Sequence, residues 1–167
     1  MGPHFIPVKT HSLLLRLWHA WVAGGVLVAW MTADEDTYAM HLFSGYAVLA
    51  AIGLRLLMGI AAPPGSPLRL PRPQLQGVLA WWRKRQGRHP AFAWLAAALL
   101  LSVGLTALSG ALADGTPWLE HPHEAIANLS LAVIGAHIVF VAFLYGGRRL
   151  LARGREALFP HLKEKTQ

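Results

Sequence analysis

Hydrophobic positions in this 167-residue chain come in long unbroken blocks, at about 12–32, 40–61, 91–112 and 122–146. A helix rises ~1.5 Å per residue, so about 20 apolar residues cross the hydrocarbon core of a bilayer. All four blocks approach or exceed that length. The pattern therefore predicts an all-α integral membrane protein, a four-helix bundle with four spans. The first apolar block lacks a small-residue cleavage site and is expected to stay as the first span. Short polar joints separate spans one and two, and spans three and four. Residues 62–73, between spans two and three, are rich in proline and exclude a regular helix. Helical spacing returns from Gln74 to Arg85, with Leu75, Val78, Leu79 and Trp82 ahead of Arg83-Lys84-Arg85. This predicts a short interfacial helix lying on anionic membrane lipid, with a solvated basic loop as the alternative. Residues 1–150 then make one four-span domain, and residues 151–167 a basic cytoplasmic tail.

Composition sharpens the reading. The chain is 54% hydrophobic and 14% charged, with a net charge of +7. A basic excess of that size suggests nucleic acid until the charges are located. All 15 Lys and Arg lie near the N-terminus, at the end of span two, between spans two and three, or after span four. The two other joints carry Asp34, Glu35, Asp36, Asp114 and Glu120, with no basic residue. The positive-inside rule makes the basic side, and with it both termini, cytoplasmic. The charge is a topology signal, and no nucleic-acid partner is expected. The sequence has no cysteine, which excludes disulfides, thiolate-held iron–sulfur clusters and the cysteine attachment of c-type haem.

Chemistry concentrates in the histidines. Of nine, His4, His11, His89, His121 and His161 are read as lying in loops or tails and need no ligand. His19, His41, His123 and His137 lie in spans or at their start, where a polar ring in hydrocarbon is costly and calls for a function. His123 and His137 are 14 residues apart, just under four turns, and leave nearly one face roughly 21 Å apart. His121 falls on nearly the opposite face, and Pro122 is expected to leave it ahead of the helix. Depth along each span sets His19 level with His137, and His41 level with His123. Two histidine pairs at two depths fit bis-imidazole haem, a cofactor that helix bundles hold between facing helices. Gly24, Gly25, Gly45, Gly53 and Gly135 would let a macrocycle approach, although close helix packing explains small residues equally well. Arg55 lies 14 residues after His41 on the same face, and Arg16 lies one turn before His19. Both are candidates to hold haem propionates, or to snorkel to headgroups. Span three has no ionisable residue, and Gly104, Thr106, Ser109 and Gly110 suit close packing. It is assigned no chemistry. A metal-transport path and a proton relay also use intramembrane histidines. The first usually adds carboxylates or thiolates, and the second needs no pairing by depth.

These residues make the chain resemble the bacterial cytochrome b561 family, which includes the b-type cytochrome subunits of membrane-bound nickel–iron hydrogenases. The resemblance is carried by Arg16-Leu-Trp-His19, His41-x-x-x-Gly45-Tyr46, Arg55-Leu-Leu-Met-Gly59, His89-Pro90, and His123 through Asn128 to His137. It implies a four-helix protein with two haem b groups on His19, His41, His123 and His137. It implies electron transfer between a periplasmic redox protein or enzyme subunit and membrane quinone in the bacterial inner membrane. The resemblance carries over no quinone-site residue; His11, Arg16 and the cytoplasmic ends of spans one and four are candidate neighbours of a quinone. The outer joints are shorter than in the hydrogenase subunits. A stand-alone superoxide:quinone oxidoreductase is the alternative, and a haem-free metal transporter a more distant one. An anionic substrate favours positive steering charge, whereas Asp34-Glu35-Asp36 suits a basic partner protein.

Overall fold

The computed structural model describes residues 8–70, 72–74 and 91–147, and of Val8–His11 and Tyr145 the backbone alone. Four long helices account for most of them: α1 Val8–Met31, α2 Tyr38–Ala61, α3 Ala91–Ala113 and α4 Glu120–Ala142. Among the described residues there is no strand. Four helical segments are long and apolar enough to cross a membrane, Ser12–Met31, Glu35–Ala61, Ala91–Ala113 and Pro117–Ala142. The segment from Leu75 to Pro90 and the tail from Arg148 lie outside the described residues. The interfacial helix, His89 and the basic tail expected there are among them.

Helix ends depart from the apolar blocks for local reasons. α1 starts at Val8, ahead of the apolar block at about 12. Lys9 and Thr10 are polar but break no helix, so hydropathy marks buried length and not helix length. α4 starts at Glu120, which places His121 and Pro122 inside its first turn. The expectation that Pro122 leaves His121 ahead of the helix is corrected here. The first turn has no intrahelical use for the missing N–H, so proline is tolerated there. At the other end the helix passes into a π-helical turn over Phe143–Gly147.

The joints are tight. Between α1 and α2 a single 3-10 turn spans Glu35–Thr37, and between α3 and α4 another spans Pro117–Leu119 with proline at its start. After α2 the chain turns at Pro63–Ser66, where Ser66 N–H donates to Pro63 O at 3.1 Å. Gly65, third in that turn, takes φ +86°, a conformation that a side chain resists and that a Pro-Gly turn requires.

The chain divides into two compact units, Met1–Ser130 and Leu131–Gln167, with the boundary inside α4. In the first unit, α2 presents a buried stripe of Ser44, Val48, Ile52, Arg55 and Gly59, which recurs at helical spacing. Gly25 of α1 lies so close that an added Cβ would stand 2.7 Å from Val48 Cγ2, so α1 and α2 approach nearly backbone to side chain. Gly104 of α3 does the same more loosely against Ile52, at 3.4 Å. Trp18 adds a polar tie by donating from Nε1 to Ala51 O at 2.9 Å. Outside this narrow core the helices show large apolar side chains: Phe43 is 78% and Ile60 77% exposed, with Trp21, Trp30, Leu57 and Leu101 also exposed. Water would penalise such a surface, and hydrocarbon would not. In the second unit, Ile138, Val139 and Phe143 are likewise exposed.

Candidate functional site

The first unit brings His41 and His123 together. Their ring centres lie 6.2 Å apart, with the planes at 76°. His41 sits one turn into α2, and its Nδ1 lies 2.7 Å from Ala29 O of α1. Ala29 is in the last turn of α1, whose final carbonyls have no partner within the helix. A carbonyl only accepts, so Nδ1 of His41 carries the proton and donates, which leaves Nε2 with its lone pair. Tyr38, one turn earlier, stacks on His41 with ring centres 5.9 Å apart at 11°. His123, in the first turns of α4, is held from α3. Its Nδ1 lies 3.1 Å from Ser109 Oγ, and Ser109 Oγ donates to Thr106 O at 3.0 Å. Gly110 makes room for the ring, because a Cβ there would stand 2.9 Å from His123 Cε1. Thr106 lies at the same helix pair: its Oγ1 donates to Ser102 O of α3 at 2.9 Å and stands 3.4 Å from Ile126 O of α4.

Position relative to the joints explains both anchors. Ala29 and His41 each lie six residues from Glu35, and Ser109 and His123 each lie seven from Thr116. In an antiparallel helix hairpin, residues equidistant from the turn are level. Ser109 and Gly110 were therefore findable in span three, where apolarity alone gave no chemistry. The joint between α3 and α4 also touches α2, since Tyr46 OH donates to Asp114 Oδ2 at 3.0 Å. Asp34, Glu35, Asp36, Asp114, Glu120 and Glu124 thus gather at the helix ends that carry His41 and His123.

The other predicted site residues are placed as follows. His19 and Arg16 are exposed on α1, in the first unit. His137 is half-buried on the part of α4 that belongs to the second unit. His121 is exposed, one residue into α4. Arg55 is buried, 7% exposed, and has protein partners. Its Nη1 donates to Leu68 O at 2.7 Å, and its guanidinium lies over the Trp18 ring at 5.9 Å. The turn after α2 folds back to offer that carbonyl, and Leu70 closes over Gly59. A guanidinium has five N–H donors, so one carbonyl leaves capacity for an anion. Of the glycines expected to admit a macrocycle, Gly25 packs on Val48. Added Cβ atoms at Gly24, Gly45, Gly53 and Gly135 would meet nothing within 4 Å. A groove lined by Trp21, Gly25 and Val28 of α1 and by Met40, Phe43 and Ser44 of α2 lies beside this site. Its hydroxyl, on Ser44, is engaged by Met40 O and His41 O, which leaves the groove apolar.

Both imidazoles are held through Nδ1 by a neighbouring helix. Ligating histidines characteristically donate their second nitrogen to a carbonyl or similar acceptor, which fixes tautomer and ring orientation. An imidazole nitrogen sits about 2 Å from its metal, so two rings on one metal have centres roughly 6 Å apart. The 6.2 Å separation of His41 and His123 fits that requirement. Among the described residues no cluster of three or more His, Asp or Glu side chains gathers to hold a metal by itself. A bis-histidine haem asks the protein for two axial ligands and no more, because the macrocycle brings the equatorial nitrogens. Compared with family models, with characterised proteins and with solved structures, the chain matches none.

Proposed function

We propose that the chain is a di-haem cytochrome b of the bacterial inner membrane, resembling the bacterial cytochrome b561 family, that passes electrons between a periplasmic redox partner and the quinone pool. The observation that carries the proposal is the His41–His123 pair, 6.2 Å apart, each ring fixed through Nδ1 by a neighbouring helix. The two histidines bind and orient the first haem through Nε2. Helical depth in the sequence assigns the second haem to His19 and His137. When bound, haem supplies one-electron chemistry that no side chain of this protein offers. The protein supplies ligands, an apolar surround and charge. Arg55 and Arg16 are the cations offered to propionates, Arg55 with donors left after Leu68 O. The basic joint and tail place both termini in the cytoplasm, so the acidic joints face the periplasm.

That acidic rim supports a basic protein as partner over superoxide, because like charge slows an anion's approach. The favoured role is a membrane-anchor cytochrome subunit of a respiratory oxidoreductase, and a stand-alone superoxide:quinone oxidoreductase is the alternative. The deciding experiment is a reduced-minus-oxidised visible spectrum of the detergent-purified protein, with haem quantified as its pyridine complex. Two b-type haems per chain are expected, falling to one in His41→Ala, His123→Ala, His19→Ala or His137→Ala. Folded protein from haem-replete cells that carries no haem would overturn the proposal. Co-purification of a stoichiometric periplasmic protein supports the anchor role, and a pure, superoxide-active single chain overturns it.

A further inference from the structure

The two anchors of the histidine pair differ in kind. His41 donates to a main-chain carbonyl, Ala29 O, which the helix end supplies whatever the side chain. His123 meets a side-chain hydroxyl, Ser109 Oγ at 3.1 Å, and has the Thr106 main chain as a second neighbour of its ring. A serine hydroxyl has one proton, and that of Ser109 is directed at Thr106 O, 3.0 Å away. While that proton is engaged by Thr106 O, the hydroxyl's lone pairs face His123, whose Nδ1 then donates. The neighbouring Gly110 lets the ring lie against the α3 backbone, and Thr106 Oγ1 stands 3.4 Å from Ile126 O of α4 one turn away. Helix packing alone needs a small residue at 109 and is indifferent to its hydroxyl. The hydroxyl's orientation serves the imidazole.

We infer that Ser109 is a positioning residue that holds His123 in its Nδ1–H tautomer and so presents Nε2 as the ligand nitrogen. The consequence for haem rests on the reading above, whereas the tautomer does not. A donated Nδ1–H makes an imidazole a stronger base toward its metal and favours the oxidised metal. Losing the acceptor should therefore weaken haem retention at this pair by about 10–100-fold and raise the potential of that haem alone. The haem assigned to His19 and His137 is the internal control.

The test compares wild type, Ser109→Ala and Ser109→Thr as full chains in detergent. Histidine ¹⁵N NMR of protein produced free of haem, with His123 assigned by its absence in His123→Gln, reads the tautomer directly. Redox titration of the haem-loaded proteins reads each potential. Nδ1–H in wild type, a mixed or Nε2–H ring in Ser109→Ala, and recovery in Ser109→Thr are expected, with one of two potentials following the same order. Should Ser109→Ala not fold, the near-isosteric Ser109→Cys replaces it with the same expected direction. An Nε2–H ring in wild type, or a tautomer unchanged by Ser109→Ala, overturns the inference even if haem is bound. A Ser109-dependent tautomer in a protein that takes up no haem upholds the positioning role and sinks the electron-transfer reading instead.

Discussion

Gly110 and His123 are in contact across two helices, so close that a Cβ on Gly110 would stand 2.9 Å from His123 Cε1. The imidazole therefore rests on bare backbone on one side while Ser109 Oγ holds Nδ1. A ring confined in this way has its nitrogen aimed before any ligand arrives, which lowers the ordering cost of binding one.

Gly110→Ala should accordingly displace the ring by several tenths of an ångström and break its register with Ser109. Haem affinity at the His41–His123 pair is expected to fall on the order of tenfold, as for loss of an outer-shell partner. Gly115→Ala, where an added Cβ meets nothing within 4 Å, serves as the control and should leave haem content unchanged. Haem per chain after dialysis against a haem-binding apoprotein checks both variants.

Arg55 fastens the turn after α2 through Leu68 O at 2.7 Å and lies over Trp18. Arg55→Leu leaves a buried carbonyl without its donor, a loss of about 1–3 kcal/mol. The turn should open more often, and trypsin should cut faster after Arg69, which lies in it. Arg55→Lys keeps the charge but loses the planar fork, so its cleavage rate should fall between the two. Equal rates in all three proteins would show that Arg55 does not hold the turn.

Gly25 touches Val48, itself only 3% exposed, in the narrowest part of the α1–α2 contact. Gly25→Leu should overpack this contact and cost about 1–3 kcal/mol. A lower midpoint of thermal unfolding in detergent is the expected result. Gly24→Leu, one residue away and facing open space, should leave the midpoint close to that of wild type.

Orientation is tested by reporter fusions. Alkaline phosphatase inserted after Asp36 should be active, and the same enzyme after Gln167 inactive, if the proposed orientation, with the basic segments on the cytoplasmic side, holds. The reverse pattern would turn the acidic rim to the cytoplasm and remove the case for a periplasmic partner.

Much of the architecture was legible in the residues. Four apolar blocks, their order and their tight joints depend on composition and on turn chemistry such as Pro64-Gly65, which act within a few residues. Helix ends were less legible, as Val8 and Glu120 show, because polar residues without a breaker continue a helix past its buried part. The choice of His41 and His123 as partners in one layer also came from periodicity and depth, properties of a single rigid helix.

The rest lay beyond any one helix. That Ala29 O receives His41, that Ser109 and Gly110 make the seat of His123, and that Arg55 turns to Leu68 O all depend on contacts between helices or with a folded-back turn. Span three read as featureless because its hydroxyls matter only when a neighbouring helix sets a ring beside them. Rotation and axial offset of one helix on another are set by side-chain fit, as at Gly25–Val48 and Gly104–Ile52. Hydropathy counts apolar residues and carries no record of such fits, so the two histidines that meet were visible in the chain and the groups that hold them were not.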